Sequence, residues 1–255
     1  MRRSLPDKGV EAEGLRKMAA KPGGHSFTLD YGETHLNIAS DIDCRSAALD
    51  ELVRQYTLLV AYINRNPMFK ASYEPVSVED GAPEVVRLMA EVASACGVGP
   101  MASVAGAFAE LIGKSIVSEG AADVIVDNGG DVFVKASGMK LVSIYAGPSI
   151  LSEKFGFMLR PEETPCGICT SSASVGPSIS LGKSDSTTVV ADSPALADAA
   201  ASAIGNLVFL ESDIEPALEA VKKIGGVRGV VVIKEGTIGA YGRLPELVRL
   251  GPESP

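Results

Sequence analysis

Apolar and polar positions follow two different periods along this chain. A spacing of 3.6 residues predicts helices over residues 45–64, 83–92, 101–118, 194–207 and 214–223. A period of two, or a short continuous apolar run, predicts strands over residues 25–30, 33–39, 124–126, 132–134, 141–145, 155–159, 167–172, 186–191, 230–234 and 237–241. The irregular stretch 68–82 is predicted to be a strand plus a loop.

The order of these elements indicates the fold class. Helices dominate the first half, a strand-rich middle follows, and mixed elements close the chain, which is typical of an α+β fold rather than a regular βαβ array. Residues 1–24 are polar and end in Lys21-Pro22-Gly23-Gly24. We therefore predict an N-terminal arm over residues 1–24 and a single domain over residues 25–255.

Composition and charge narrow the classes of partner. The formal net charge is -9, which argues against a broad nucleic-acid surface because phosphate backbones require a basic footprint. A local phosphate site stays open, since backbone N–H groups can provide one without net positive charge. The uncharged stretch 92–109 is broken by Gly97-Val98-Gly99-Pro100, so it favours a buried helix over a membrane span. No secretory signal is evident, and we expect a cytoplasmic protein.

The turn Asn128-Gly129-Gly130-Asp131 joins two apolar strands and allows two interpretations. Asn-Gly and Gly-Gly suit the positive φ angles of a β-hairpin turn. Glycines also let backbone N–H groups approach a ligand, so the same turn could form a nest for a phosphate or a carbonyl group.

Two of the four cysteines form a Cys166-Gly167-Ile168-Cys169 motif. Residues three apart in a regular strand point to opposite faces, so the pair meets only if Gly167 permits a turn. A structural zinc site lacks two further paired ligands, which leaves a redox or persulfide-bearing thiol, or packing, as the open roles. The hydroxyl-rich Thr170-Ser171-Ser172 follows and could hydrogen-bond a ligand or form a polar loop.

Asp198 and Ser202 lie four residues apart on a helix that is otherwise rich in alanine, so they share one face. Burying an unpaired carboxylate is costly, so Asp198 needs a partner. That partner could be the N-terminal turn of its own helix, through the helix dipole. Alternatively, Asp198 and Ser202 could be oxygen ligands of a hard cation such as Mg²⁺ beside a phosphate.

Taken in order, these motifs resemble the ApbE family of flavin transferases, which move FMN from FAD to a protein Ser or Thr with Mg²⁺. Its glycine-rich helix start, Gly-Gly-Asp turn, Thr-Ser strand and Ala-Asp-Ala helix correspond here to residues 97–106, 129–131, 169–172 and 197–202. The resemblance is strongest to a divergent ApbE-like group of methanogens and sulfate-reducing anaerobes, through phrases such as Gly99-Pro100-Met101-Ala102.

This resemblance implies a T-fold-like, mostly antiparallel sheet packed with helices, with FAD or FMN and Mg²⁺ as cofactors. The implied cofactor-binding residues are Gly99, Met101, Asn128, Gly129, Gly130, Asp131, Thr170, Ser171 and Ser172, and the implied metal ligands are Asp198 and Ser202. The divergent group has been linked to sulfide assimilation into homocysteine, which would give Cys169 or Cys166 a catalytic role.

Two departures from the family's motifs affect the expected reaction more than the expected fold. The family's Ala-Lys-Gly is Val104-Ala105-Gly106 here, without the lysine, and residues 175–179 replace a histidine-containing motif. Three functions stay open: a flavin transferase relative that has lost part of its catalytic set, a thiol or persulfide sulfur-handling protein, and a non-catalytic ligand-binding protein. The expected partner is a flavin or nucleotide, or a sulfur-relay protein, with a homodimer also open and no nucleic acid or membrane.

Overall fold

A computed structural model describes residues 24–143, 155–172 and 182–250 of the 255-residue chain. Its α-helices are α1 (Arg45–Arg65), α2 (Met68–Ala71), α3 (Glu84–Cys96), α4 (Val104–Ser118), α5 (Pro194–Gly205) and α6 (Ile214–Val221). Its strands are β1 (His25–Tyr31), β2 (Thr34–Ser40), β3 (Val124–Asn128), β4 (Asp131–Lys135), β5 (Lys140–Ser143), β6 (Phe155–Leu159), β7 (Cys166–Ser171), β8 (Ser186–Ala191), β9 (Val227–Lys234), β10 (Thr237–Gly242) and β11 (Glu246–Arg249). The predicted arm, apart from Gly24, lies outside the described residues.

Eight strands form the main sheet, in the order β1-β2-β3-β4-β7-β8-β9-β10, and every neighbouring pair is antiparallel. A second sheet has the order β11-β6-β5. The α+β class and the mostly antiparallel sheet are therefore confirmed. The sequence pattern predicts no strand at β11, which is a short segment stabilised by its long-range pairing with β6.

Alternate residues of the central strands face two different cores. On one face, Val126, Phe133 and Val189 pack against the helices. On the other face, Val134, Ile168 and Val190 pack with Phe157 and Leu159 of the small sheet. This two-sided burial explains why the central strands are apolar almost throughout instead of alternating with polar residues.

The helices form two layers over the main sheet. Helices α4 and α5 lie directly on the central strands, while α1 and α3 cover α4 and α5 from outside. The apolar stretch Pro100–Ser118 is long enough to cross a membrane by length and composition, but 56% of it is buried inside the protein. Burial against β3 and β4 makes it a core helix, as the Gly-Pro break in the sequence predicts.

The region 68–82 differs from its prediction. It contains the single helical turn α2 and no strand, so the predicted strand is wrong. Phe69 is fully buried and anchors this turn against Tyr62, with the two rings 5.3 Å apart in an edge-to-face contact. One buried aromatic residue in a polar stretch gives too little periodicity to distinguish a helical turn from a strand.

Candidate functional site

The site is built on the close approach of α4 and α5. An added Cβ at Gly106 would lie 2.4 Å from the Pro194 carbonyl oxygen and 2.7 Å from Asp198 Cβ. Gly167 has the same role beneath α5, because a Cβ there would lie 2.4 Å from Pro194 Cα. Both glycines are therefore required by backbone contact, and they place Asp198 against the first turn of α4.

The carboxylate of Asp198 accepts its hydrogen bond from α4 and not from its own helix. The Gly106 N–H donates to Asp198 Oδ2 at 2.9 Å, across 92 residues of sequence. The predicted partner, the N-terminal turn of the helix that carries Asp198, is therefore wrong. The carboxylate instead caps the N-terminal turn of α4, where the helix dipole also favours a negative charge. Burial raises the pKa of Asp198 to about 7, and the backbone hydrogen bonds from Gly106 and Ala105 oppose that rise.

Asp131 is a second carboxylate next to Asp198. It lies directly opposite Cys169 in the β4–β7 pair, and only 9% of it is exposed. Burial, followed by the negative charge of Asp198, raises its pKa well above the ordinary range, and hydrogen bonds from Cys169 and from the Thr170 backbone to the carboxylate oppose that rise. Within the described residues its Oδ1 atom is buried without a hydrogen-bond partner. An orphaned carboxylate oxygen beside another carboxylate is the arrangement that a cation or a shared proton stabilises.

The turn between β3 and β4 is a two-residue hairpin. Gly129 and Gly130 have φ angles of 68° and 103°, and the Gly130 N–H donates to Asp127 Oδ1 at 2.8 Å. Asn128 donates through Nδ2 to the Ala105 carbonyl oxygen at 3.1 Å. The turn is exposed at its tip, while the flanking Asn128 connects the end of β3 to the start of α4.

The three hydroxyl side chains that follow Cys169 do not lie on the same face of the sheet. Thr170 shares a 2.9 Å hydrogen bond with Thr188, on the sheet face opposite to Cys169. Ser171 is on the helix side, near the position that a Cβ of Gly205 would occupy. Ser172 donates to the Asp185 carbonyl oxygen at 2.7 Å. Of the three, only Ser171 shares a face with Asp131 and Cys169.

The two cysteines of the Cys-x-x-Cys motif are separated by the sheet. Strand β7 is regular at Gly167, so Cys166 belongs to the core under the small sheet and Cys169 to the core under the helices. Cys169 donates to the Pro194 carbonyl oxygen at 3.3 Å. Burial, and then the charges of Asp131 and Asp198, raise its pKa well above the ordinary value, while burial raises the pKa of Cys166 to about 12. The structure does not bring the two thiols together.

The remaining predicted residues lie around this centre. Gly99 is buried, and a Cβ there would lie 2.0 Å from the Ser72 carbonyl oxygen, so close packing explains this glycine. Met101 is half-buried against the main core in the short helix before α4. Ser202 is half-buried one turn after Asp198 on the same face of α5.

Sequence reasoning missed Cys96 as a neighbour of this centre. It ends α3, and its pKa rises to about 12 through burial and then through the charge of Asp198. No sequence motif indicates this contact, because α3 and α5 are about one hundred residues apart.

Comparison with protein families decides the membership of the chain. The family model AbpE_bact, described as AbpE bacteria, matches residues 16–239. This chain belongs to that family. A UPF0280 protein of Methanocaldococcus jannaschii is 42% identical over 223 residues, which cover 85% of this chain and 90% of the relative. A UPF0280 protein of Methanosarcina acetivorans is 38% identical over 219 residues, covering 85% and 86% of the two chains.

Solved structures support the fold of this AbpE_bact member. The apo flavinyl transferase ApbE of Pseudomonas stutzeri superimposes with a TM-score of 0.54 at 13% identity, covering 86% of this chain and 94% of that one. The apbe protein of Thermotoga maritima gives a TM-score of 0.53 at 13% identity, covering 84% and 96%. The expected ApbE-like fold is therefore confirmed, and the chain is a divergent relative within it.

The donor set of this family member fits Mg²⁺ only together with a ligand. Among the residues that the structure describes, no three His, Cys, Asp or Glu side chains are arranged to hold a metal ion by themselves. Mg²⁺ is commonly bound by one or two carboxylates together with phosphate oxygens and water. The orphaned Oδ1 of Asp131 beside Asp198 fits that second pattern.

Proposed function

We propose that this chain binds a flavin nucleotide, FAD or FMN, together with Mg²⁺, as an ApbE-like relative that has lost part of the transferase's catalytic set. The observation that carries the proposal is the pair of buried carboxylates, Asp131 and Asp198, with the unpaired Oδ1 of Asp131. Two such groups repel each other when both are ionised, so a divalent cation between them would remove a destabilising interaction.

Each residue has a defined part in this proposal. Asp198 and Asp131 supply carboxylate oxygens, and Ser202 supplies a hydroxyl oxygen from the same face of α5. When bound, Mg²⁺ would neutralise charge on the phosphate groups of the nucleotide. The exposed backbone of Gly129 and Gly130 and the Ser171 hydroxyl are the proposed contacts to the nucleotide. Because Asp198 already uses the Gly106 N–H, the first turn of α4 is less available to a phosphate.

The sequence departures limit the proposal to binding plus a partial catalytic set. Ala105 stands where the transferases have lysine, and the backbone of this position supports Asp198 and Asn128. Residues 175–179, which replace the family's histidine-containing motif, lie outside the described residues. FMN transfer to a protein Ser or Thr is therefore the outcome to be measured separately from binding.

Titration with FAD and FMN, with Mg²⁺ and with EDTA, tests the proposal. Wild type should bind at least tenfold more tightly with Mg²⁺, and Asp198→Ala should lose that difference. The exposed Asp50→Ala on α1 is the matched control and should bind like wild type. Absence of flavin binding with Mg²⁺ present, or equal Mg²⁺ dependence in Asp198→Ala, would remove the proposal.

The sulfur-handling function stays a prediction. A persulfide forms on an accessible thiolate, whereas Cys169 and Cys166 are fully buried with raised pKa values. The opposite faces of the two thiols mean that each would have to act alone. Mass spectrometry after treatment of wild type and Cys169→Ser with polysulfide decides it, because a thiolate can take sulfane sulfur from polysulfide while a shorter polysulfide leaves. Sulfur added only to wild type would favour this function over flavin binding.

A further inference from the structure

Glu110 is a buried carboxylate on α4 that lies outside the Asp131–Asp198 pair. Only 3% of the residue is exposed. Its Oε2 accepts from the Ser193 hydroxyl and, at 3.2 Å, from the Ala195 N–H, while its Oε1 lies 2.6 Å from Lys114 Nζ. Two of its partners are therefore the N-cap residue and a first-turn N–H of α5.

The two helices are capped reciprocally. Asp198 on α5 accepts from the Gly106 N–H at the start of α4, and Glu110 on α4 accepts from Ser193 and Ala195 at the start of α5. The sequence separations are 92 and 85 residues, so neither cap is a local motif. Each carboxylate also interacts favourably with the positive end of the opposite helix. The position of one helix therefore depends on the carboxylate of the other.

We propose that Glu110 is a positioning residue, which sets the place of Asp198 by holding the first turn of α5. Ala195 and Asp198 are separated by one helical turn, so a shift or rotation at Ala195 is transmitted along the rigid helix to Asp198. The part of this inference that concerns Mg²⁺ binding rests on the proposed function. As a statement about the Asp198–Gly106 contact, it concerns the protein without any ligand.

The test compares Glu110→Ala with Glu110→Gln, which keeps an oxygen acceptor for the Ala195 N–H. Ile116→Ala is the matched control, because Ile116 is fully buried on α4 and belongs to neither cap. Lys114→Ala is a second control that removes the ion pair and leaves both caps intact, since Lys114 bonds only the other oxygen of Glu110. All variants are brought to equal global stability by adjusting the urea concentration.

The first measurement is hydrogen exchange of the Gly106 amide without metal or flavin. Glu110→Ala should speed this exchange at least tenfold beyond Ile116→Ala, while Glu110→Gln and Lys114→Ala should exchange within about threefold of wild type. Equal exchange in Glu110→Ala and Ile116→Ala would overturn the inference. If Glu110→Ala does not fold, Ser193→Ala replaces it. Gly106 exchange faster than in Ile116→Ala would again support the inference and equal exchange would overturn it, with a smaller expected increase in rate.

The second measurement is the Mg²⁺ concentration that gives half-maximal FAD binding. Glu110→Ala should need at least fivefold more Mg²⁺ than wild type. Glu110→Gln should have a Mg²⁺ requirement close to that of wild type. An unchanged Mg²⁺ requirement in Glu110→Ala would contradict the positioning role. If wild type itself shows no Mg²⁺-dependent FAD binding, the proposed function fails, whereas the Gly106 exchange still decides the inference about Glu110.

Discussion

Replacing Asp198 by asparagine should remove a pH dependence from the stability of the protein. The pKa of Asp198 is raised from an ordinary 3.8 to about 7 by burial. Between these two values the folded protein holds a proton that the unfolded chain has released, so rising pH lowers the free energy of unfolding. At about 1.4 kcal/mol per pKa unit, the full effect across this window is about 4 kcal/mol.

The surroundings of the Asp198 carboxyl group determine how far its pKa is raised. The Gly106 N–H is a direct donor to Asp198, and Asp131 adds a second acid whose pKa is raised in the same direction. The amide side chain introduced by Asp198→Asn would keep an oxygen acceptor for Gly106 and would carry no charge at any pH. The variant should therefore gain stability relative to wild type as pH rises, and differ little from wild type near pH 4.

Urea unfolding of both proteins in EDTA at pH 5 and pH 8 measures this difference. Wild type should lose about 3 kcal/mol more than Asp198→Asn between the two pH values, because the window between pH 5 and 7 is titrated. Addition of Mg²⁺ at pH 8 should restore stability to wild type alone. Asp50→Asn, which replaces an exposed acid on α1, should follow wild type. Parallel pH profiles for wild type and Asp198→Asn would show that Asp198 is not the source of this pH dependence.

Three further predictions concern the surroundings of the site. Gly106→Ala should cost about 1–3 kcal/mol in urea unfolding and weaken Mg²⁺-dependent FAD binding, since its Cβ would lie 2.4 Å from the Pro194 carbonyl oxygen, and near-wild-type stability would contradict this contact. Iodoacetamide at pH 8 should label half-buried Cys96 before Cys169, and equal labelling rates in the folded protein would show that Cys169 is accessible. Arg228→Ala should lower the free energy of unfolding by about 1–3 kcal/mol, because the guanidinium donates to Asp192 and to the carbonyl oxygen of Pro165, and an unchanged urea midpoint would argue against those bonds.

Local signals in the sequence account for much of the fold. Ser193-Pro194 predicts the start of α5, and the Ser193 hydroxyl does accept from the Leu196 N–H at 3.2 Å. Gly129-Gly130 predicts a hairpin turn with positive φ, which both residues adopt. In each case the backbone conformation depends on residues within a few positions, so the pattern is sufficient.

Long-range packing accounts for what the sequence could not show. The carboxylate of Asp198 lies beside Gly106, 92 residues earlier, and no periodicity contains that pairing. The order of motifs places Asp131 and Asp198 in one site by resemblance, but the orphaned Oδ1 appears only when β4 is packed beneath the helices. Likewise, the regular strand at Gly167 decides that Cys166 and Cys169 face different cores. The cytoplasmic location, the homodimer and the single domain stay predictions.

In the proposed site, Asp131 and Asp198 share a divalent cation beside a flavin nucleotide. A crystal structure grown with FAD and Mn²⁺, which substitutes for Mg²⁺ at oxygen ligands, locates the metal by its anomalous signal. We predict one strong anomalous peak at roughly 2.0–2.3 Å from a carboxylate oxygen of each aspartate, with a phosphate oxygen completing the site. Flavin bound with its metal elsewhere, or Mn²⁺ absent from the space between Asp131 and Asp198, would contradict a shared cation at this site.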